Sequence, residues 1–333
     1  FQFKGYTMDF IFLTGHRKSG TTLLHKLFDG HPELNVFPVD ISLLYAYLPC
    51  HISHLELEEA QERVNIVIRE STNFFQGMTI SENCKAYNVD DFLLCLWELS
   101  SVDNFTKPAN VIEAFANAWC TYAGLDTRLP FVLKETSQSI HAQKMVNDGL
   151  SVRFIHLVRD PRDNYAAIKA GVAQYYSQMG ENDKEALASV INRSRMDLII
   201  GSDILKSHSE WFTAIRFEDL TQSPDTSMKL LADFCEISFL PILTQPTVLG
   251  DNFSGNSYDG EIFSGISNKN VGRWKERISD FETGVIEFWM SDVMELWGYK
   301  RCLTMEDASN AYAEFYNWYN CRYFYYDSFG INK

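Results

Sequence analysis

The chain has 333 residues, 46% hydrophobic and 22% charged, the balance of a soluble globular protein whose core needs no cross-links. Its formal net charge of −15 disfavours nucleic acid and long polyanionic glycans as partners, because such ligands are met by basic surfaces. No run approaches eighteen apolar residues, so no membrane span is expected in this chain.

The first expected element is a strand at 9–14, which runs into Gly15-His16-Arg17-Lys18-Ser19-Gly20-Thr21-Thr22 and then a helix at 20–30. A strand, a glycine-flanked loop and a helix N-terminus make a phosphate cradle, where backbone N–H groups converge on an anion. The ATP-binding version reads G-x-x-x-x-G-K-[ST]. Gly15 and Gly20 keep that spacing, but Thr21 stands in the lysine position and the lysine is Lys18. A moved lysine argues for a donor other than ATP; a P-loop kinase is the alternative. The bland reading is a strand-to-helix turn that binds nothing.

The stretch 41–107 reads as irregular and mixed aromatic and polar, with a helix at 57–70. A helix at 108–124 and strands at 130–134 and 152–158 follow. The last strand ends in Arg159-Asp160-Pro161-Arg162-Asp163, ahead of a helix at 164–178. A guanidinium beside a helix N-terminus suits a phosphate dianion. Helices at 184–206, 224–235 and 280–296 and a strand at 212–217 complete the layout. Strands separated by helices predict an α/β fold, with a P-loop-like parallel sheet flanked by helices on both faces. Both candidate anion sites then fall at strand C-terminal ends. Residues 1–304 are expected to form one domain with an insert at about 41–107. Residues 305–333 are expected to be an aromatic helical extension packing on it, an oligomer contact or a flap being the sharper readings.

These motifs resemble the sulfotransferases that use 3′-phosphoadenosine 5′-phosphosulfate (PAPS) and release the desulfonated nucleotide (PAP). Lys18-Ser19-Gly20-Thr21-Thr22 is similar to their 5′-phosphosulfate loop, and Arg159 matches the arginine that holds the 3′-phosphate. The family usually places a serine eight residues after that arginine; here Ala167 stands there, with Lys169 or a backbone group as the substitute. Gly272, Trp274 and Lys275 match a Gly-x-Trp-Lys segment over the 3′-phosphate and adenine. Ser267 replaces the basic residue five before that glycine, leaving Lys269 and Arg273 as the phosphate contacts. Arg216-Phe217-Glu218-Asp219-Leu220 resembles a strand end with Phe217 in the aromatic position beside the adenine. Arg17 and Ser19 belong to the same loop.

The resemblance implies sulfuryl transfer to a hydroxyl of a carbohydrate, lipid or small metabolite, with no metal, and it makes the insert at about 41–107 the variable, acceptor-binding part. Lys18 would neutralise the bridging oxygen that leaves. Cytosolic members carry Lys-Thr-His; here Leu133-Lys134-Glu135-Thr136 keeps the lysine and lacks the histidine. Golgi-type carbohydrate and tyrosyl-protein members place a glutamate eight or nine residues after a His-Pro. Nine residues after His31 stands Asp40. Asp40 is the expected general base, Lys134 faces the sulfuryl group, and Glu135 is the reserve base. The rival reading makes Asp40 a helix cap. A scaffold that binds PAPS or PAP without turnover is a further alternative. Seven scattered cysteines without a C-x-x-C pair read as reduced and cytoplasmic. A start at Phe1 suggests trimming, so the lumenal domain of a Golgi membrane protein is the alternative. A homo-oligomer is left open.

Overall fold

The computed structural model describes residues 8–44, 54–84, 86–172, 183–255, 262–263 and 265–322. Its first strand, β1 (Phe10–Thr14), is buried along its whole length. Successive side chains of a strand point to opposite faces. Phe10 and Phe12 therefore join Phe131, Leu133, Phe154 and Phe212 in one core, and Ile11 and Leu13 join Val132, Ile155 and Leu157 in another. The helices Leu57–Thr72, Val89–Leu99 and Pro108–Ala123 cover the first core with Val64, Phe92 and Trp119. The helices α1 (Thr21–Phe28) and Pro224–Cys235 cover the second with Leu24, Leu27 and Leu231.

The sheet has five parallel strands in the order β2 (Asn35–Asp40), β3 (Phe131–Lys134), β1, β4 (Val152–Val158), β5 (Phe212–Arg216). The chain thus leaves β1 to one side for β2 and β3 and to the other for β4 and β5. Ligands of such sheets bind at the C-terminal strand ends around that reversal. This is the α/β architecture expected from the alternation of strands and helices.

Sequence pattern alone missed β2. It is an edge strand that carries Pro38, and a proline cannot donate to a ladder. Its pairing with β3 slips between Val36 and Asp40, and after the slip Asp40 lies opposite Lys134. Much of the stretch 41–107 is helical rather than irregular. Val89–Leu99 is a helix because the Asn88 side chain accepts from the Asp90 and Asp91 N–H groups at 2.9 and 3.2 Å. Residues 45–53 and 85 of that stretch lie outside the described residues. The expected helix at 184–206 contains a π turn at Val190–Ser194, and the one at 280–296 breaks at Met290.

The helix Met305–Arg322 lies against Asp280–Trp289. Tyr312 stacks on Phe288 at 4.9 Å and on Trp289 at 5.3 Å, and Phe315 is buried. Gly284 permits this approach, since a Cβ there would stand 2.7 Å from Ala311 Cβ. The aromatic side chains from Tyr319 onward lie outside the described residues.

Phe37 sits within the slip in β2. Its ring is fully buried and meets Trp119 at 4.7 Å and Phe115 at 5.0 Å, both edge-on. Phe37→Ala is expected to cost about 3–5 kcal/mol, read from the denaturation midpoint.

Candidate active site

The loop between β1 and α1 folds as a nest because its backbone takes positive φ three times, at Gly15 (145°), Lys18 (64°) and Gly20 (98°). Gly20 also admits a neighbour: a Cβ there would stand 2.4 Å from the Phe217 ring. Only a glycine lets that ring lie against the loop. Phe217 begins the helix after β5, and the next residue fixes that helix. Glu218 accepts from Asp160 N–H at 3.0 Å and from the Tyr299 hydroxyl at 2.9 Å.

Arg159, at the end of β4, ties three pieces together. It donates to the Lys18 carbonyl and to the Asn270 carbonyl, each at 2.8 Å, and lies 4.6 Å over the Phe217 ring. Its Nε is buried without a partner. The following helix, Pro161–Val172, supplies two more ties. Asn164 donates to the Arg17 carbonyl at 2.7 Å and, more weakly, to the Ser19 hydroxyl at 3.4 Å. Asp163 accepts from the N–H groups of Gly272 at 2.6 Å and Trp274 at 2.9 Å. Burial pushes the Asp163 carboxyl upward, against the pull of Arg159 and of those two N–H groups.

These elements enclose a cavity of about 440 Å³. Arg17, Lys18, Gly20, Thr21 and Thr22 line it from the loop; Asp40 and Lys134 line it from the sheet edge; Arg159, Phe217 and Arg273 line the opposite side. Ser19 is buried beneath the loop, bonded to Asn164. Gly272 and Trp274 are held through their backbone by Asp163, and the Trp274 ring lies 4.2 Å from the Arg162 guanidinium, away from the cavity. Lys269 is exposed and outside the wall. Glu135 is also outside it: the side chain is buried and accepts from Leu44 N–H at 3.0 Å.

Lys134 and Asp40 form an ion pair at 2.6 Å across β2 and β3, with Lys134 also reaching the Thr22 hydroxyl at 3.4 Å. The other Asp40 oxygen, Oδ1, is buried without a partner. Burial raises the Asp40 carboxyl above its ordinary range, opposed by Lys134. Residues 41–44 do not begin a helix, so Asp40 caps none there. Burial, then Arg159 and Lys134, hold the Lys18 ammonium down to about 8.

A sequence profile described as the sulfotransferase domain matches residues 8–298. The chain belongs to that family. No curated protein is similar enough in sequence to count as a relative. Among solved structures, the sulfotransferase domain from the curacin biosynthetic pathway superposes with a TM-score of 0.55 at 18% identity, covering 90% of this chain and 100% of its own. The sulfotransferase domain from the Synechococcus PCC 7002 olefin synthase gives 0.56 at 16% identity, over 89% of this chain and 97% of its own. At these identities the likeness is one of fold.

Among the residues of this sulfotransferase's cavity that were not foreseen from sequence is Arg277. It stands on the four-residue helix Trp274–Arg277 and lines the cavity beside Arg273. Ala167 lies on the same wall as Ala166 and Ala170. Lys169 does not replace the missing serine: it bonds Glu282 at 2.7 and 2.9 Å and is absent from the wall. His31 is structural, with Nε2 on the Ser238 carbonyl at 2.9 Å and Nδ1 accepting from Glu33 N–H at 3.2 Å. Among the described residues no helix is long and apolar enough to cross a membrane.

Proposed function

We propose that this sulfotransferase takes its sulfuryl group from PAPS and passes it to a hydroxyl acceptor by in-line displacement. One observation carries the reading: Lys18 and Arg159 line a single cavity, with the Phe217 ring on the same wall. A nucleotide phosphorylated at both ends of its ribose calls for two cationic sites and an aromatic surface. The partnerless Arg159 Nε and the desolvated Lys18 ammonium both favour an incoming anion.

The loop N–H groups with Thr21 and Thr22 hold the 5′-phosphate at the α1 N-terminus. Arg159 and Arg273 hold the 3′-phosphate, and Phe217 lies against the adenine. Arg277 supplies the contact that Ala167 cannot make, since both line the cavity. Asp163 places Arg273 by gripping the backbone on either side of it.

In the reaction the acceptor oxygen bonds to sulfur while the bond from sulfur to the bridging oxygen breaks. The acceptor proton goes to Asp40. Negative charge growing on the leaving oxygen is met by Lys18, and charge on the sulfuryl group by Lys134. Positioning and electrostatics carry such a transfer.

The test is thermal unfolding with PAP, with ATP and magnesium, and with buffer. PAP at a hundred times its Kd is expected to stabilise by about 2.7 kcal/mol, with ATP doing far less. A larger shift with ATP and magnesium would turn the reading toward a kinase. The affinity for PAP also has a pH signature. A bound dianion favours the charged ammonium, and the Lys18 ammonium of the free protein titrates at about 8. Affinity is therefore expected to hold up to about pH 8 and then fall by up to about tenfold per unit, measured by calorimetry.

A further inference from the structure

A second cleft, of about 420 Å³, lies between the end of β2 and the end of the helix Leu57–Thr72, and Asp40 belongs to the walls of both cavities. We propose that this cleft is the acceptor subsite, and that it takes a hydroxyl compound with an apolar body and a cationic group. The proposal rests on the sulfuryl-transfer reading, because Asp40, the base of that reading, stands in the wall of both cavities.

Shape and chemistry support it. The volume is that of an ordinary small-molecule pocket. Val39, Val67 and Phe74 give it apolar walls. The Phe74 ring is 68% exposed while its neighbour Phe75 is fully buried, so an aromatic surface stands open at the cleft. Ser71 Oγ, also at this wall, is buried with no hydrogen-bond partner, an omission that a polar group on a ligand would repair.

Charge selects among hydroxyl compounds. Glu70 lines the cleft and has no ion pair among the described residues. The neighbouring cation on its helix, Arg69, is taken by Asp90 at 2.6 Å. Asp40 is already matched by Lys134. The cleft therefore carries one carboxylate that no described residue offsets. An ammonium on the acceptor would offset it, and a carboxylate or sulfate would be repelled.

Three phenols of one body test this with PAPS as donor: tyramine, 4-ethylphenol and 3-(4-hydroxyphenyl)propionate. The expected kcat/KM order is cation, then neutral, then anion, with about tenfold or more between the extremes. Glu70→Gln is expected to erase the advantage of tyramine and leave 4-ethylphenol within about twofold of wild type. Ser71→Phe, which fills the cleft, is expected to lower turnover of all three by at least about tenfold. Thermal stabilisation by PAP should persist in both variants, showing that fold and donor site survive. An anion turned over as well as the cation, no turnover of any of the three despite PAP binding, or variants that match wild type would overturn the proposal. Failure of PAP to bind the wild type would instead remove the donor reading, and this inference with it.

Discussion

Lys18→Met is expected to lower kcat at least about a hundredfold, the loss seen when one preorganised donor to a developing anion is removed. The backbone of Lys18 does structural duty that methionine can keep. Its left-handed turn shapes the nest, and its carbonyl accepts from Arg159 at 2.8 Å. The ammonium has a different part. It is desolvated and crowded by Arg159 and Lys134, which brings it down to about 8. A charge held against that cost serves an anion rather than the fold. Folding stability at neutral pH is therefore expected to hold or rise in the variant. Sign and cause agree: a lysine whose folded pKa is depressed makes the fold less stable while it is charged, and stability recovers as pH rises from about 8 toward its unfolded value of 10.5. Single-turnover transfer to any acceptor that the wild type sulfonates gives the rate, and unfolding in buffer gives the stability. Near-normal turnover in Lys18→Met would take this lysine out of the chemistry.

The loop and Arg159 were legible in the sequence because anion binding through backbone needs particular residues in particular places. Gly15 and Gly20 stand where side chains would collide: a Cβ on Gly15 would lie 2.3 Å from the Leu157 carbonyl oxygen. Such requirements leave a local signature. The strands β1, β3 and β4 were legible for a similar reason, since strands buried on both faces read as apolar runs. What stayed hidden depends on distant pairs. Asp163 places Arg273 by holding N–H groups more than a hundred residues away. Arg277 reaches the cavity from a helix of four residues, too short to leave a period. The pairing of Lys134 with Asp40 needs the slip in β2, and a proline at a sheet edge disguised that strand. The family pattern pointed to Lys269 and Trp274 as donor contacts. In three dimensions the first is exposed and the second packs on Arg162, while Arg273, also expected, does line the cavity and Arg277 joins it.

For Asp40→Asn the expected loss in kcat is about 10²–10⁴, the range for a positioned general base, with PAP affinity nearly unchanged. Asparagine keeps a carbonyl for Lys134 but cannot take a proton. The wild-type carboxyl has one oxygen on Lys134 at 2.6 Å and one, Oδ1, buried without a partner. Its pH profile separates a base from a mere counter-ion. Burial raises this carboxyl above its ordinary range, so kcat/KM is expected to rise with pH through that raised value, as the carboxylate form accumulates. The same shift makes the charged group unfavourable to the fold, so its stability cost appears as pH rises through the folded pKa. In Asp40→Asn the acid limb should vanish along with the rate. Thermal stability alone would not distinguish the roles, because relief at position 40 is offset by a lysine left without its counter-charge. Glu135→Gln is the control. That carboxylate is buried on Leu44 N–H and lies outside the cavity wall, so its loss should loosen the fold and leave the acid limb in place. An Asp40→Asn enzyme that keeps the wild-type rate and acid limb would take Asp40 out of the base's role.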